Sequence, residues 1–401
     1  MEAQSVTRFR KYLQIKSVHP NPDYWGIVEF LKEQAQEIGL EFQVVECVKN
    51  KPIVVLKLAG TDPSLQSVLF NSHSDVVPVF EENWKYPPFG AERVKQENGD
   101  YHIYARGAQD MKMAGSCYLE AMRELKLSGK IPKRNIFALY VPDEEIGGRD
   151  GMGSFVNTAE FKALNAGFDI DEGINSSNST TVLMNSERTL CWVKLIAHGN
   201  TGHGSQFIEG TAIEKLLPVV NELMKFREQQ LNSLNNNIKT TKMEEQGHYT
   251  SVNLTMLDGG KQANVVPATF SAVFDIRITP DVNYIDFFNW VEKLAADNGV
   301  EVEYITRDDA GVVTSLDESD IFIKAMNKVC KSFNLRTVPF ISPGITDARY
   351  VRKAGVPAVG LNPVTNIPLL AHDHNEYIRE SDFISSISFY SELMSELGNA
   401  S

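Results

Sequence analysis

Apolar positions along this chain recur with two periods, and the rhythm changes twice. Between Tyr24 and Ile38, the residues Ile27, Leu31, Ala35 and Ile38 fall on one helical stripe, and Gly39 is placed to end the helix. Phe42–Val45, Ile53–Leu58 and Ser67–Phe70 are short strand-like runs. Helical spacing returns over Met111–Leu127, with Ala114, Tyr118, Ala121, Met122 and Leu125 on one stripe. Asn135–Val141 is apolar almost throughout, which suits a central strand buried on both faces. Phe168–Ile174 and Thr181–Met184 read as further strands.

From about Arg188 to Thr306 the order becomes strand, helix, strand, strand, helix, strand. The strands are Cys191–Ala197, Thr250–Leu257, Ala272–Ile278 and Val300–Ile305; the helices are Thr211–Glu228 and Tyr284–Asn298. That order predicts a ferredoxin-like α+β unit, with the Asn-rich stretch Asn232–Thr241 as an exposed loop. After Thr306 the first rhythm resumes, with a helix over Ser319–Phe333, strands at Val338–Ser342 and Ala358–Leu361, and a closing helix over Glu380–Leu397. The simplest organisation is a discontinuous α/β catalytic domain, residues 1–187 plus 307–401, interrupted by a second domain over 188–306.

A chain of 401 residues suits two or three domains, and 42 % apolar residues suffice for full cores. The net charge of −13, with both signs mixed, argues against nucleic acid or an anionic membrane as partner. Met1–Gln14 is polar and lacks the apolar core of a signal peptide. Ile136–Val141 is far too short to span a bilayer. Cys47, Cys117, Cys191 and Cys330 are isolated, which points to reduced thiols in a cytoplasmic protein.

The candidate chemistry lies in five clusters: His73-Ser74-Asp75, Ala105 to Asp110, Asp143-Glu144-Glu145, Asp171-Glu172-Gly173 and His372 to Glu376. Alone, each has a plain reading. His73 would be a satisfied histidine, Asp171-Glu172-Gly173 a turn, Asp143-Glu144-Glu145 a solvated loop and His372-Asp373-His374 a charged surface loop. Their joint order, each expected where a strand runs out into a loop, describes a two-metal hydrolase site. Two neighbouring divalent ions need about five or six protein ligands and an open position for water. His73 and Asp75, two apart on a strand end, lie on one side, so that one binds a metal while the other steers it. Asp110, at the head of a helix, offers two oxygens to bridge two ions. Glu144 and Glu145, consecutive in extended chain, face opposite ways, which leaves one as ligand and the other as free base.

The stretches Asn71 to Pro78, Tyr104 to Lys112, Val141 to Gly148 and Leu370 to His374 together resemble the dizinc aminoacylase, carboxypeptidase and dipeptidase family, most nearly its cytosolic aminoacylase branch. The similarity spans nearly the whole chain. It implies a zinc-peptidase-like α/β catalytic domain with an inserted ferredoxin-like lid and dimerisation domain. It also implies two Zn2+ per chain: one held by His73, Asp110 and Glu172, the other by Asp110, Glu145 and His372. Glu144 is then the general base and Asp75 the partner of His73. His372 is preferred to His374 because the family's ligand stands four residues before a Glu, here Glu376. A cis peptide after Asp110 is implied as well.

In Gly199 to Ser205, His203 alone reads as a histidine in a flexible turn. The resemblance implies that it reaches the active site of the other subunit of a homodimer and polarises the scissile carbonyl. On the substrate side, Arg349 is the first choice to hold an α-carboxylate with its planar fork. Arg277 is second, since an Arg at a strand end often serves only a salt bridge, and Asn264 would add a hydrogen bond. The implied activity is hydrolysis of small N-acyl-L-amino acids to a carboxylate and a free L-amino acid, by metal-activated water. Dipeptidase, carboxypeptidase or acetylornithine-type deacylase activity would use the same site. A non-catalytic metal-stabilised scaffold would lack the base, and Glu144 is present. A binding protein for N-acyl amino acids would share Arg349 and need no base.

Overall fold

A computed structural model describes residues 2–239 and 241–401; Met1 and Thr240, which fall in the expected catalytic domain and the expected Asn232–Thr241 loop, lie outside the described residues. The chain divides into two compact units. One comprises Met1–Asn185, Thr314–Pro339 and Thr346–Ser401; the other comprises Ser186–Val313 and Phe340–Ile345.

The first unit is built on an eight-stranded mixed sheet. Its order is Glu41–Val48, Lys51–Leu58, Ile136–Val141, Ser67–His73, Ala166–Asp171, Ala358–Leu361, Thr180–Glu187 and Arg336–Ser342. The three central strands Ile136–Val141, Ser67–His73 and Ala166–Asp171 run parallel. Both faces are covered, which is why these strands are apolar without alternation. In Ile136–Val141 the even positions Ile136, Ala138 and Tyr140 join a core with the helices Gln4–Gln14, Lys112–Ser128 and Glu380–Gly398. The odd positions Phe137, Leu139 and Val141 join a second core with Met152, Phe155 and Val351. A smaller antiparallel sheet of Glu92–Lys95, Tyr101–Tyr104 and Tyr377–Arg379 lies outside any strand read from the sequence.

The second unit has an antiparallel sheet in the order Ser251–Gly259, Thr269–Ile278, Thr189–His198, Val300–Arg307. In chain order this is second, third, first, fourth, the arrangement of the ferredoxin-like β-α-β-β-α-β motif. Leu216, Val219 and Leu223 of the helix Ala212–Asn237, and Phe288 and Val291 of Tyr284–Asp297, cover one face. The other face alternates, with Trp192 exposed.

Two sequence expectations are corrected. The stretch Asn232–Thr241 is not a loop throughout, because the helix expected to end at Glu228 continues to Asn237. A capping box between Thr211 and Glu214 starts that helix, and buried Leu234 anchors its end. Each Asn costs a helix only about half a kcal/mol relative to Ala, too little to end it there. The strand expected over Phe168–Ile174 stops at Asp171, which leaves Glu172 in the following loop. Among the described residues no helix is long and apolar enough to cross a membrane.

Candidate metal centre

Three adjacent parallel strands end at one edge of the first unit's sheet and deliver their residues there, as open α/β sheets do. His73 is the last residue of Ser67–His73. Glu144 and Glu145 follow Ile136–Val141 on one side, and Glu172 follows Ala166–Asp171 on the other. Glycine makes one approach possible: a Cβ on Gly360 would lie 2.0 Å from the Glu172 carbonyl oxygen, so only Gly lets that strand lie against the Glu172 turn.

Asp110 arrives differently. The loop 105–110 is wrapped around the fully buried carboxylate of Glu376. That carboxylate accepts from Arg106 at 2.7 Å and from the backbone N–H groups of Gly107, Gln109 and Asp110 at 3.1, 2.6 and 3.2 Å. Burial pushes Glu376 up to about 7 against the opposing pull of Arg106. The Asp110–Met111 peptide is cis. Sequence reasoning used Glu376 only as a marker for His372; its role in shaping the Asp110 loop is visible only when residues 270 apart meet.

The six groups converge. His73 Nε2 lies 3.0 Å from Asp110 Oδ1, 3.1 Å from Glu172 Oε2 and 4.0 Å from Glu144 Oε2. His372 Nε2 lies 3.2 Å from Asp110 Oδ2 and 2.9 Å from Glu145 Oε2. Ligand atoms on a tetrahedral zinc sit about 3.3 Å apart, given metal–ligand distances near 2.0–2.1 Å. The spacings suit side chains that share a metal ion: His73, Glu144 and Glu172, and likewise His73, Asp110 and Glu145, lie close enough together to hold one. The Glu145 Oε1 atom is buried with no hydrogen-bond partner among the described residues, as a metal-directed oxygen would be. His374 turns away, its ring 6.2 Å from that of Phe80 and its Nε2 3.5 Å from Asn83.

Electrostatics matches a cation-binding cluster. Burial, then the charge of Glu172, raises Glu144 well above the usual carboxylate range. Burial also raises Glu172 to about 8, against the pull of His73. Burial works the same way on Asp110, but hydrogen bonds to His372 and His73 outweigh it and hold Asp110 low. Hydrogen bonds to Asp110 and Glu145 lift His372 to about 10.

Three expectations about local geometry are corrected. Glu144 and Glu145 are not extended; they occupy a single 3-10 turn after Asp143, whose φ is 67°. The turn still sends Glu144 toward His73 and Glu145 toward His372. His372 is not at a strand end but in a turn, with φ 63° and its side chain about half exposed. Asp75 steers His73 chiefly through its backbone, since His73 Nδ1 is 3.0 Å from the Asp75 carbonyl and 3.7 Å from its carboxylate. The Asp75 carboxylate instead accepts from the backbone N–H groups of Glu144 and Glu145, at 3.2 and 3.1 Å, and pairs with His19 Nε2 at 2.8 Å. His19 was not singled out in the sequence, where nothing connects it to residue 75. The same is true of Tyr24 and Lys51, which hold the Asp143 carboxylate.

Arg349 is brought to this turn: its Nη2 donates to the Gly147 carbonyl at 2.6 Å and to Tyr350 Oη at 2.8 Å. In the second unit, exposed His203 lies on a two-residue strand paired with Val265–Val266. Its Nδ1 is 2.8 Å from Ser205 Oγ, and its Nε2 is 3.5 Å from Asn264 Nδ2. Arg277 is held two-pronged by Asp275 at 2.8 and 3.2 Å.

Known proteins share this chain's sequence and fold. The model of peptidase family M20/M25/M40 matches residues 69–396. Aminoacylase-1 of Sus scrofa is 46 % identical over 400 residues, covering 99 % of this chain and 96 % of the relative. Aminoacylase-1 of Homo sapiens is 44 % identical with the same coverage, and that of Dictyostelium discoideum 38 % over 407 residues, covering 99 % and 98 %. Among solved structures, an M20 family metallo-carboxypeptidase from Sulfolobus solfataricus superposes with a TM-score of 0.74 at 19 % identity, over 99 % of this chain and 100 % of that one. A dinuclear metal-binding peptidase of the M20 family from Bacillus subtilis superposes with a TM-score of 0.68 at 14 % identity, over 98 % and 97 %. Agreement over this length, with side chains that could hold a metal ion gathered beside the matched strands, places the chain in peptidase family M20/M25/M40.

Proposed function

We propose that this protein hydrolyses N-acyl-L-amino acids at the amide bond, releasing a carboxylate and a free L-amino acid, with two Zn2+ bound per chain. The observation that carries the reading is Asp110, with one oxygen toward His73 and the other toward His372, beside a Glu144 that neither ligand set requires. His73, Asp110 and Glu172 would hold one zinc, and Asp110, Glu145 and His372 the other. Zinc there supplies Lewis acidity toward the acyl oxygen and a water of near-neutral pKa.

Glu144 takes the proton of the attacking water and passes it to the leaving amine. Cations bound beside it would favour its charged form, the form that accepts a proton. Asp75, pinned by His19, fixes the backbone of Glu144 and Glu145. Arg349 holds the substrate α-carboxylate. His203 of a partner subunit, oriented with Asn264, donates to the developing oxyanion. Arg277 is the weaker substrate candidate, since Asp275 already engages it. In this reading residues 1–187 plus 307–401 are the catalytic domain, residues 188–306 are the lid and dimerisation domain, and the homodimer works in the cytoplasm. The substrate class is supported by the identity of 44–46 % to mammalian aminoacylases-1 over 400 residues.

The test is amine release from N-acetyl-L-methionine and from a matched dipeptide, with metal content measured on the same sample. Fast release from the acetyl amino acid, with two zinc per chain and loss on chelation, is expected. Cleavage of the dipeptide alone would move the substrate to a peptide, and full metal with neither substrate turned over would overturn the activity.

A further inference from the structure

The second unit holds a buried cation that the proposed chemistry does not use. Arg188 is only 7 % exposed. Its guanidinium makes long contacts to two carbonyls, 3.2 Å to Tyr249 and 3.4 Å to Pro343, and its Nε has no hydrogen-bond partner among the described residues. No carboxylate within salt-bridge distance is found for it among the described residues. The nearby Asp275 is taken by Arg277, which itself repels Arg188. A buried charge left in this condition is costly, and a guanidinium is built to meet an anion two-pronged.

Arg188 forms part of the wall of a cavity of about 280 Å3 between the helix Ala212–Asn237, the segment 242–249 and the start of the strand Ser251–Gly259. Among the described residues two further cations line it, Arg227 and Lys242, and no carboxylate does. Arg227 spends only its Nε, on Asn253 at 3.3 Å. The remaining polar lining is amide and hydroxyl. Three cations, neutral donors and no acid among the described lining residues make the walls of this space electropositive.

We propose that this cavity binds an inorganic-phosphate-sized dianion, seated on Arg188 and closed by Arg227 and Lys242. The site is separate from the metal cluster, all of whose residues belong to the first unit.

The experiment is equilibrium dialysis of radiolabelled inorganic phosphate against the zinc-loaded full-length protein at constant ionic strength. It is repeated with Arg188→Met and with Arg227→Ala; the second variant lies on a helix surface and guards against a folding failure of the first. Saturable phosphate binding that weakens about tenfold in each variant, with catalytic turnover unchanged in phosphate-free buffer, is expected, since a charge-assisted hydrogen bond is worth about that factor or more. Arg188→Met should also raise the melting temperature in phosphate-free buffer and abolish the rise that phosphate produces in the unsubstituted protein. Absence of saturable binding would overturn the proposal. So would binding that survives both substitutions, which would place the phosphate on the zinc ions instead.

Discussion

Asp110 faces one imidazole with each of its oxygens, and Glu144 stands beside His73; the proposed reading makes Asp110 a ligand and Glu144 a free base. That division of labour makes the two acids separable by mutation. Glu144→Gln should lower kcat by roughly three orders of magnitude and leave two zinc per chain, the loss expected when a general base is removed. Metal lost together with activity would make Glu144 a ligand. His19 acts one step further out, because its bond to Asp75 holds the backbone that carries both glutamates. His19→Ala should lower kcat about tenfold with KM and zinc content little changed, as for other residues that orient a metal site from behind. An unchanged kcat would mean that the backbone of Ser74 to Val76 fixes Asp75 without help.

At the scale of elements, the site depends on how closely strands approach. The strand Ala358–Leu361 lies beside Ala166–Asp171, and Gly360 faces the Glu172 carbonyl. Gly360→Ala would place a methyl 2.0 Å from that oxygen and 3.0 Å from Met184 Cβ. The expected outcome is zinc affinity lowered about tenfold or more, read by competition with a chromogenic chelator, while far-UV circular dichroism stays the same. Retained affinity would show that the Glu172 turn is free to shift. The two-residue strand carrying His203 has too little pairing of its own to be read from sequence.

For the whole molecule, a mixture tests whether His203 serves a partner subunit. Glu144→Gln and His203→Ala, each nearly inactive, should regain roughly a quarter of full activity when dissociated and reassociated together. Half of random C2 dimers are mixed, and each mixed dimer holds one intact site of two. No recovery would place His203 in its own chain's site or outside catalysis. The thiols report on packing. Burial pushes Cys191 and Cys330 up to about 12 and raises Cys117 well above the usual thiol range, whereas Cys47 is only partly buried. At pH 8, iodoacetamide should label Cys47 first and the other three only on unfolding, as mass spectrometry of the labelled peptides would show.

The sequence by itself determined the alternation of the two rhythms, the parallel strands that carry His73, Glu144 and Glu172, and the identity of the acids and histidines that meet. Apolar periodicity records which faces are buried, and that record is local. It misread the Asn-rich end of the helix Ala212–Asn237, because one buried leucine outweighed the local preference of its neighbours. Only the tertiary structure decided that His372 enters from a turn, that Glu376 moulds the Asp110 loop, that His19 braces Asp75, and that Arg188 is buried with no salt-bridge partner among the described residues. Each of these rests on groups from distant parts of the chain, and a hydrogen bond or a desolvated charge leaves no periodic trace in the residues between them.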